Sequence, residues 1–265
     1  MKITSRDNSL LRRARAVRDG QADDAIFVEG LRLCEEALSA GLKIEAVIYA
    51  EAITGKERAA RLIEDLNGVA DKSGAVSDKL LESISDTKAP QGIVVLAARP
   101  AHDESSFAEK QPASPFVVVL HQLNNPANVG AILRTCEAAG VTGVMATAHT
   151  ADPFSPKALR GAMGSAFRLP IWAGLQYGAA VDWCKARNLR AICTDADGAR
   201  RYTEIDWRKG TALIVGPESA GLSADEILAA DETVRIPMQG AAESLNVAVA
   251  TGIILFEAAR QRAQN

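Results

Sequence analysis

Short, nearly continuous apolar runs alternate along this chain with stretches of helical period. In the first hundred residues, runs at 25–28, 44–49 and 93–97 predict strands. Between them Leu31, Cys34, Ala37 and Leu38 share one helical face. Thr54-Gly55-Lys56-Glu57 reads as a capping box opening a helix that buries Ala59, Leu62, Ile63 and Leu66. Further on, runs at 116–120, 143–146, 168–172, 190–194, 212–215 and 233–236 are short and nearly continuous, the pattern of parallel strands covered on both faces. Ser223-Ala224-Asp225-Glu226 is a second capping box, and a long helix is expected from about 244 to 262. The pattern lapses between Arg99 and Pro115, where Pro100, Pro112 and Pro115 stand among few apolar residues. The expected fold is α/β: a small α/β domain over 1–100, a linker over 101–114, and an open parallel sheet over 115–265.

Composition narrows the class. The 265 residues carry a net charge of −3, 48% are hydrophobic and 24% charged, which excludes a disordered chain, a collagen-like chain and a small disulfide scaffold. Cys34, Cys136, Cys184 and Cys193 form no C-x-x-C pair. They read as buried small hydrophobes in a reduced compartment, and no metal site is expected. The first residues lack the apolar run of a signal peptide, and the longest apolar stretch, 245–256, is interrupted by Asn246 and too short to span a bilayer. A cytoplasmic protein is expected. Charge is uneven: residues 1–20 hold Lys2, Arg6, Arg12, Arg13, Arg15 and Arg18 against Asp7 and Asp19. Such a run is either a solvated helix face or a phosphate-contacting patch.

In open parallel sheets ligands bind beyond the carboxyl ends of the strands, and three loops there stand out. The first, His121 to Thr135, holds Asn124, Asn125 and Asn128. Asn128 is expected to cap the helix that follows. Arg134 sits in that helix among Ala131, Ile132, Leu133 and Cys136, so a partly buried guanidinium with a carboxylate or phosphate partner is expected. His121, beside this loop, is expected to be exposed, with ligand contact as the alternative. The second loop, Gly216 to Ser223, brings two glycines for close ligand approach and the anion Glu218. The third, Pro237 to Asn246, enters an apolar helix with Ser244 as candidate N-cap and Asn246 as a buried, hydrogen-bonded polar group inside the helix that holds two loops together. The chain has no P-loop, no G-x-G-x-x-G opening a helix after a strand, no G-x-S-x-G and no H-E-x-x-H.

Together the loops resemble the SpoU (TrmH-like) branch of the SPOUT methyltransferases. The likeness rests on Asn124-Asn125-Pro126-Ala127-Asn128-Val129-Gly130-Ala131-Ile132-Leu133-Arg134-Thr135, on Val215 to Leu222, and on Ile236-Pro237-Met238 with Ser244-Leu245-Asn246-Val247-Ala248. It implies methyl transfer from S-adenosylmethionine to a ribose 2′-hydroxyl of RNA, on a trefoil-knotted domain that forms a homodimer. It also implies adenosine contacts from the backbone of Gly216, Ile236 and Leu245, and a role for Arg134 in activating the hydroxyl or its phosphate. Asn128 would orient the ribose or Arg134, Glu218 would hold Arg134 or the nucleotide, and Ser244 and Asn246 would fix the loops. Phe27 to Leu38 and Thr87 to Ile93 are similar to the RNA substrate-binding domain that precedes this catalytic domain, which makes ribosomal RNA the expected partner. Arg12, Arg13 and Arg15 then become RNA-contact candidates, as do Lys157 and Arg160. The competing readings are a transfer-RNA 2′-O-methyltransferase, a relative that binds RNA without catalysis, and a small-molecule α/β enzyme.

Overall fold

A computed structural model describes residues 2–217 and 221–263. Contacts divide it into two units, Met1–Pro100 with Phe154–Phe167, and Ala101–Pro153 with Arg168–Asn265.

The first unit runs α1 (Ser9–Arg18), β1 (Ala25–Glu29), α2 (Leu31–Ser39), β2 (Ile44–Ala50), α3 (Glu57–Val69), β3 (Lys72–Val76), α4 (Asp78–Glu82) and β4 (Ile93–Ala98). Its sheet has the order β1-β4-β2-β3, with β4 antiparallel to both neighbours and β2 parallel to β3. Helix α1 opens where the Asn8 side chain accepts from the Leu10 N–H, and it buries Leu10, Leu11, Ala14 and Val17. Helix α3 buries Ala59, Leu62, Ile63 and Leu66 as its period predicts. The Thr54 capping box does not form. Thr54 Oγ1 donates back to the Glu51 carbonyl, and α3 starts after Lys56 without a side-chain cap. Strand β3 gives no apolar run in the sequence, because it is an edge strand centred on Gly74. A Cβ there would come within 2.4 Å of Ile3 Cδ1.

Buried Glu29 joins the two stretches that resemble the substrate-binding domain. It accepts from the Ser85 hydroxyl, from Asp86 N at 2.9 Å and from Thr87 Oγ1 at 2.9 Å, while Gln91 Oε1 accepts from Leu31 N at 3.0 Å.

In the second unit, α5 (Glu104–Glu109) lies within the stretch expected to be a plain linker. Its Asp103–Ser106 capping box supplies the helix start, and Phe107 is fully buried against Trp172 and Trp183. One aromatic residue among polar ones is too little periodicity to read as a helix. There follow β5 (Phe116–Leu120), α6 (Pro126–Ala138) and β6 (Gly143–Thr147). Helices α7 (Pro156–Ala162) and α8 (Ser165–Arg168) come next, and residues 154–167 pack in the first unit. There Arg160 pairs with Asp86 at 2.6 Å, and Gly164, at φ +94°, leaves room for Glu36.

The chain continues through β7 (Ile171–Leu175), α9 (Tyr177–Ala186), β8 (Arg190–Thr194), β9 (Arg200–Arg201), β10 (Thr211–Val215), α10 (Ala224–Ala229), β11 (Glu232–Arg235) and α11 (Val247–Arg262). The strand expected at 168–172 begins only at Ile171, because Arg168 closes α8 and pairs with Glu137. Seven parallel strands lie in the order β7-β6-β5-β10-β8-β11-β9. Every residue of β5, β6 and β10 is buried, which explains their unbroken apolar runs. All four cysteines are buried and unpaired, and burial pushes the Cys193 thiol up to about 11. Among the described residues no helix is long and apolar enough to cross a membrane.

Candidate active site

A cavity of about 690 Å³ opens at the carboxyl ends of β8, β10 and β11, within the range of about 300–1,000 Å³ usual for ligand pockets. Gly216, Ile236 and Leu245, the three expected adenosine contacts, all line it, as do Ser244 and Asn246. Gly216 follows β10 directly. A Cβ there would lie 2.7 Å from Leu222 Cγ, so the missing side chain is what lets Leu222 fold over the strand end. Leu245 is 37% exposed, an apolar surface open to a ligand.

The wall's third segment is anchored differently from the expectation. Asn246, rather than Ser244, is the N-cap of α11. Its Oδ1 accepts from Ala248 N at 2.9 Å and Val249 N at 3.4 Å. The helix therefore begins at Val247, and Asn246 lies exposed at its mouth instead of buried within it. Its Nδ2 donates to Asn128 Oδ1 at 3.2 Å, across 118 residues of sequence. Asn128 is likewise not a cap. Asn125 caps α6 by accepting from Ala127 N, Pro126 takes the first helical position, and Asn128 is buried one turn in. One side-chain hydrogen bond thus joins α6 to the start of α11. Further along, Gly252 packs 3.6 Å from Thr135 Cγ2, measured from where a Cβ would stand.

Arg134 is exposed, contrary to expectation. Val129, Ile132, Leu133 and Cys136 form the inner stripe of α6, and position 134 lies off it. Among the described residues no acid pairs with Arg134, and it is not among the residues lining the cavity. Glu218 lies outside the described residues.

The cavity also takes Thr194, Asp195 and Ala196 after β8, which sequence reasoning passed over. Their signal was an acidic turn closing on Gly198, directly after a strand. His121 is buried rather than exposed. Its Nδ1 meets Thr147 Oγ1 at 2.9 Å and its Nε2 meets Glu226 Oε1 at 2.8 Å. The expected Ser223–Glu226 capping box forms.

The basic candidates are dispersed. Arg13 makes a bidentate pair with Asp24 at 2.9 and 2.6 Å and reaches Glu45 at 3.3 Å. Arg15 Nη2 donates to the Arg6 carbonyl, and Arg160 is held by Asp86. Arg12 and Lys157 are exposed, with no ion pair among the described residues. Among those residues no three His, Cys, Asp or Glu side chains gather as a metal site would require.

A parallel sheet with a mixed polar and apolar, glycine-bearing cavity at its carboxyl edge is where α/β proteins hold small organic ligands. Residues 115–256 match the SpoU rRNA Methylase family, and residues 10–95 match the MRM3-like substrate binding domain. The chain belongs to the SpoU rRNA methylase family. It is 32% identical over 235 residues to the 23S rRNA (guanosine(2553)-2′-O)-methyltransferase RlmP of Bacillus subtilis, covering 88% of each chain. It is 31% identical over 241 residues to the 23S rRNA (uridine(2479)-2′-O)-methyltransferase of Streptomyces viridochromogenes, covering 89% of this chain and 83% of that one. The crystal structure of an AdoMet-bound rRNA methyltransferase from Sinorhizobium meliloti superposes with a TM-score of 0.85 at 30% identity, covering 98% of this chain and 97% of that one.

Proposed function

We propose that the protein transfers a methyl group from S-adenosylmethionine to a ribose 2′-hydroxyl of ribosomal RNA, in the cytoplasm and as a homodimer. In this reading residues 115–265 form the knotted catalytic domain, 1–100 the RNA-binding domain, and 101–114 join them. The observation that carries it is the convergence of Gly216, Ile236 and Leu245 on one cavity, with Asn246 bonded to Asn128 at its mouth. The residues present fit the cofactor. Strand-end backbone supplies N–H and C=O groups that read adenine without polar side chains, and Leu222 and Leu245 offer apolar cover.

When bound, S-adenosylmethionine supplies an electrophilic methyl on a sulfonium. The chain's own residues must bring the ribose oxygen into line, accept or polarise its proton, and steady the adjacent phosphate. Arg134 suits the last two tasks. A guanidinium only donates, so Arg134 polarises the phosphate or hydroxyl oxygen, and the proton the hydroxyl loses passes to the adjacent phosphate oxygen. Its exposure is what an RNA-facing group needs, since the nucleotide arrives from solvent. Arg134 lies six residues beyond Asn128 on α6, about 9 Å along the helix axis, which sets its reach from the cavity mouth. Asn128 and Asn246 orient that mouth. Ser244, Glu218 and the exposed Arg12 and Lys157 belong to the same reading as nucleotide and phosphate contacts. The dimer is supported by Val249 and Phe256, which are 52% and 54% exposed and stand seven residues apart on one face of α11.

The test is methyl transfer from labelled S-adenosylmethionine to ribosomal and transfer RNA side by side. Label in ribosomal RNA is expected. Label in transfer RNA alone would move the substrate, and cofactor binding without any transfer would favour a non-catalytic relative.

A further inference from the structure

We propose that His121 is a positioning residue for the cofactor cavity, holding the wall at Gly216 and Pro217 on one side and at Gly221 to Ser223 on the other. The backbone N–H of His121 donates to the Val215 carbonyl at 2.9 Å, immediately before Gly216. Its imidazole Nε2 reaches Glu226 Oε1 at 2.8 Å, just after Ser223. Between these two anchors lie Gly216, Pro217, Gly221 and Leu222, four residues of the cavity wall.

Glu226 Oε2 accepts from Ser223 N at 2.8 Å, and Ser223 Oγ accepts from Glu226 N at 3.3 Å, so the second carboxylate oxygen is the one His121 takes. An ionised carboxylate only accepts, so Nε2 donates to it, while Nδ1 shares a hydrogen bond with the Thr147 hydroxyl at 2.9 Å. Burial pushes the Glu226 carboxyl up. The Ser223 backbone and hydroxyl and the His121 ring outweigh this and leave it below its ordinary value, so it is ionised at neutral pH. The ring also packs on Tyr177 at 4.7 Å between centroids, and the Tyr177 hydroxyl donates to the Glu226 carbonyl at 2.8 Å. His121 is 3% exposed, so turning the ring would leave two buried nitrogens without partners. The same residue begins the connection from β5 to α6, which carries Asn128 and Arg134. It therefore ties the RNA-facing loop and the cofactor wall to one point.

This inference rests on the cavity being the S-adenosylmethionine site. Its test is calorimetric binding of S-adenosylmethionine to the full-length protein and to His121→Ala, Glu226→Ala and the double variant, with KM for cofactor and for RNA measured alongside. Each single variant should weaken cofactor binding about tenfold, and the double variant should fall well short of the roughly hundredfold product, because both remove the shared His121–Glu226 linkage besides contacts of their own. KM for cofactor should rise in step while KM for RNA moves by less than about twofold, a split that general destabilisation would not give. Folded variants with unchanged cofactor affinity, or a double variant about a hundredfold weaker, would overturn the proposal. If His121→Ala does not fold, Glu226→Ala decides by the same readout, since it leaves the ring on Tyr177 and Thr147. Wild-type protein that binds no S-adenosylmethionine would overturn the cofactor reading itself. Wild type that binds, with variants binding equally, overturns only the role of His121.

Discussion

The cavity proposed to hold the cofactor and the basic surface of the first unit use charge in opposite ways. Among its described residues the cavity holds two acids, Asp195 and Glu243, and no base; the rest of its wall is glycine, proline, small polar and apolar side chains. The first unit is rich in arginine, but most of that charge is already engaged. Arg13 is held by Asp24 and Glu45, Arg18 by Asp19, Arg58 by Glu35 and Arg160 by Asp86. A guanidinium in bidentate contact with a carboxylate must break that contact before it can take a phosphate. The comparison teaches that density of basic residues in sequence is a poor guide to RNA contact. What counts is which cations folding leaves in water; of the candidates the sequence singled out, these are Arg12 and Lys157 in the first unit and Arg134 in the second.

The sharpest way to break the contrast is Arg134→Ala. Methyl transfer should fall about 10³-fold, the scale of losing a donor to developing charge, while calorimetric affinity for S-adenosylmethionine stays within about twofold. A large loss of cofactor affinity would place Arg134 in the cavity after all. Gly216→Ala tests the other side. Its new Cβ would force Leu222 aside, and cofactor affinity should drop about tenfold with RNA affinity intact. Unchanged cofactor binding would remove Gly216 from the wall.

A smaller effect separates the two candidate caps. Asn246→Ala should cost about 1 kcal/mol or somewhat more in denaturant unfolding, through the lost cap and the lost bond to Asn128. Ser244→Ala should cost almost nothing, and equal losses would restore Ser244 as a cap. The smallest effect is expected in the salt dependence of RNA binding. Arg12→Ala should lower the slope by about one phosphate contact. Arg13→Ala should leave the slope unchanged and slightly lower the melting temperature.

Much of the second unit was legible in sequence because its strands are buried on both faces, so β5, β8 and β10 stand out as apolar runs whatever packs on them. The Ser223–Glu226 capping box was legible too, since both partners are local in sequence. What escaped was decided by distant contacts. The bond from Asn246 to Asn128 spans 118 residues, and His121 is buried by Tyr177, Thr147 and Glu226, none of them near it in sequence. Local apolar neighbours suggested a buried Arg134, but helical phase turned it outward. Strand β3 and helix α5 were missed because each offers too few apolar positions to set a period.

The central claim is that the acceptor is a ribose oxygen. A methyl on that oxygen removes the nucleophile that cleaves RNA in alkali. Ribosomal RNA labelled by the protein with methyl-tritiated S-adenosylmethionine should, after complete alkaline hydrolysis, release its label in alkali-resistant dinucleotides. Label recovered in mononucleotides would mean a methylated base and would contradict the account.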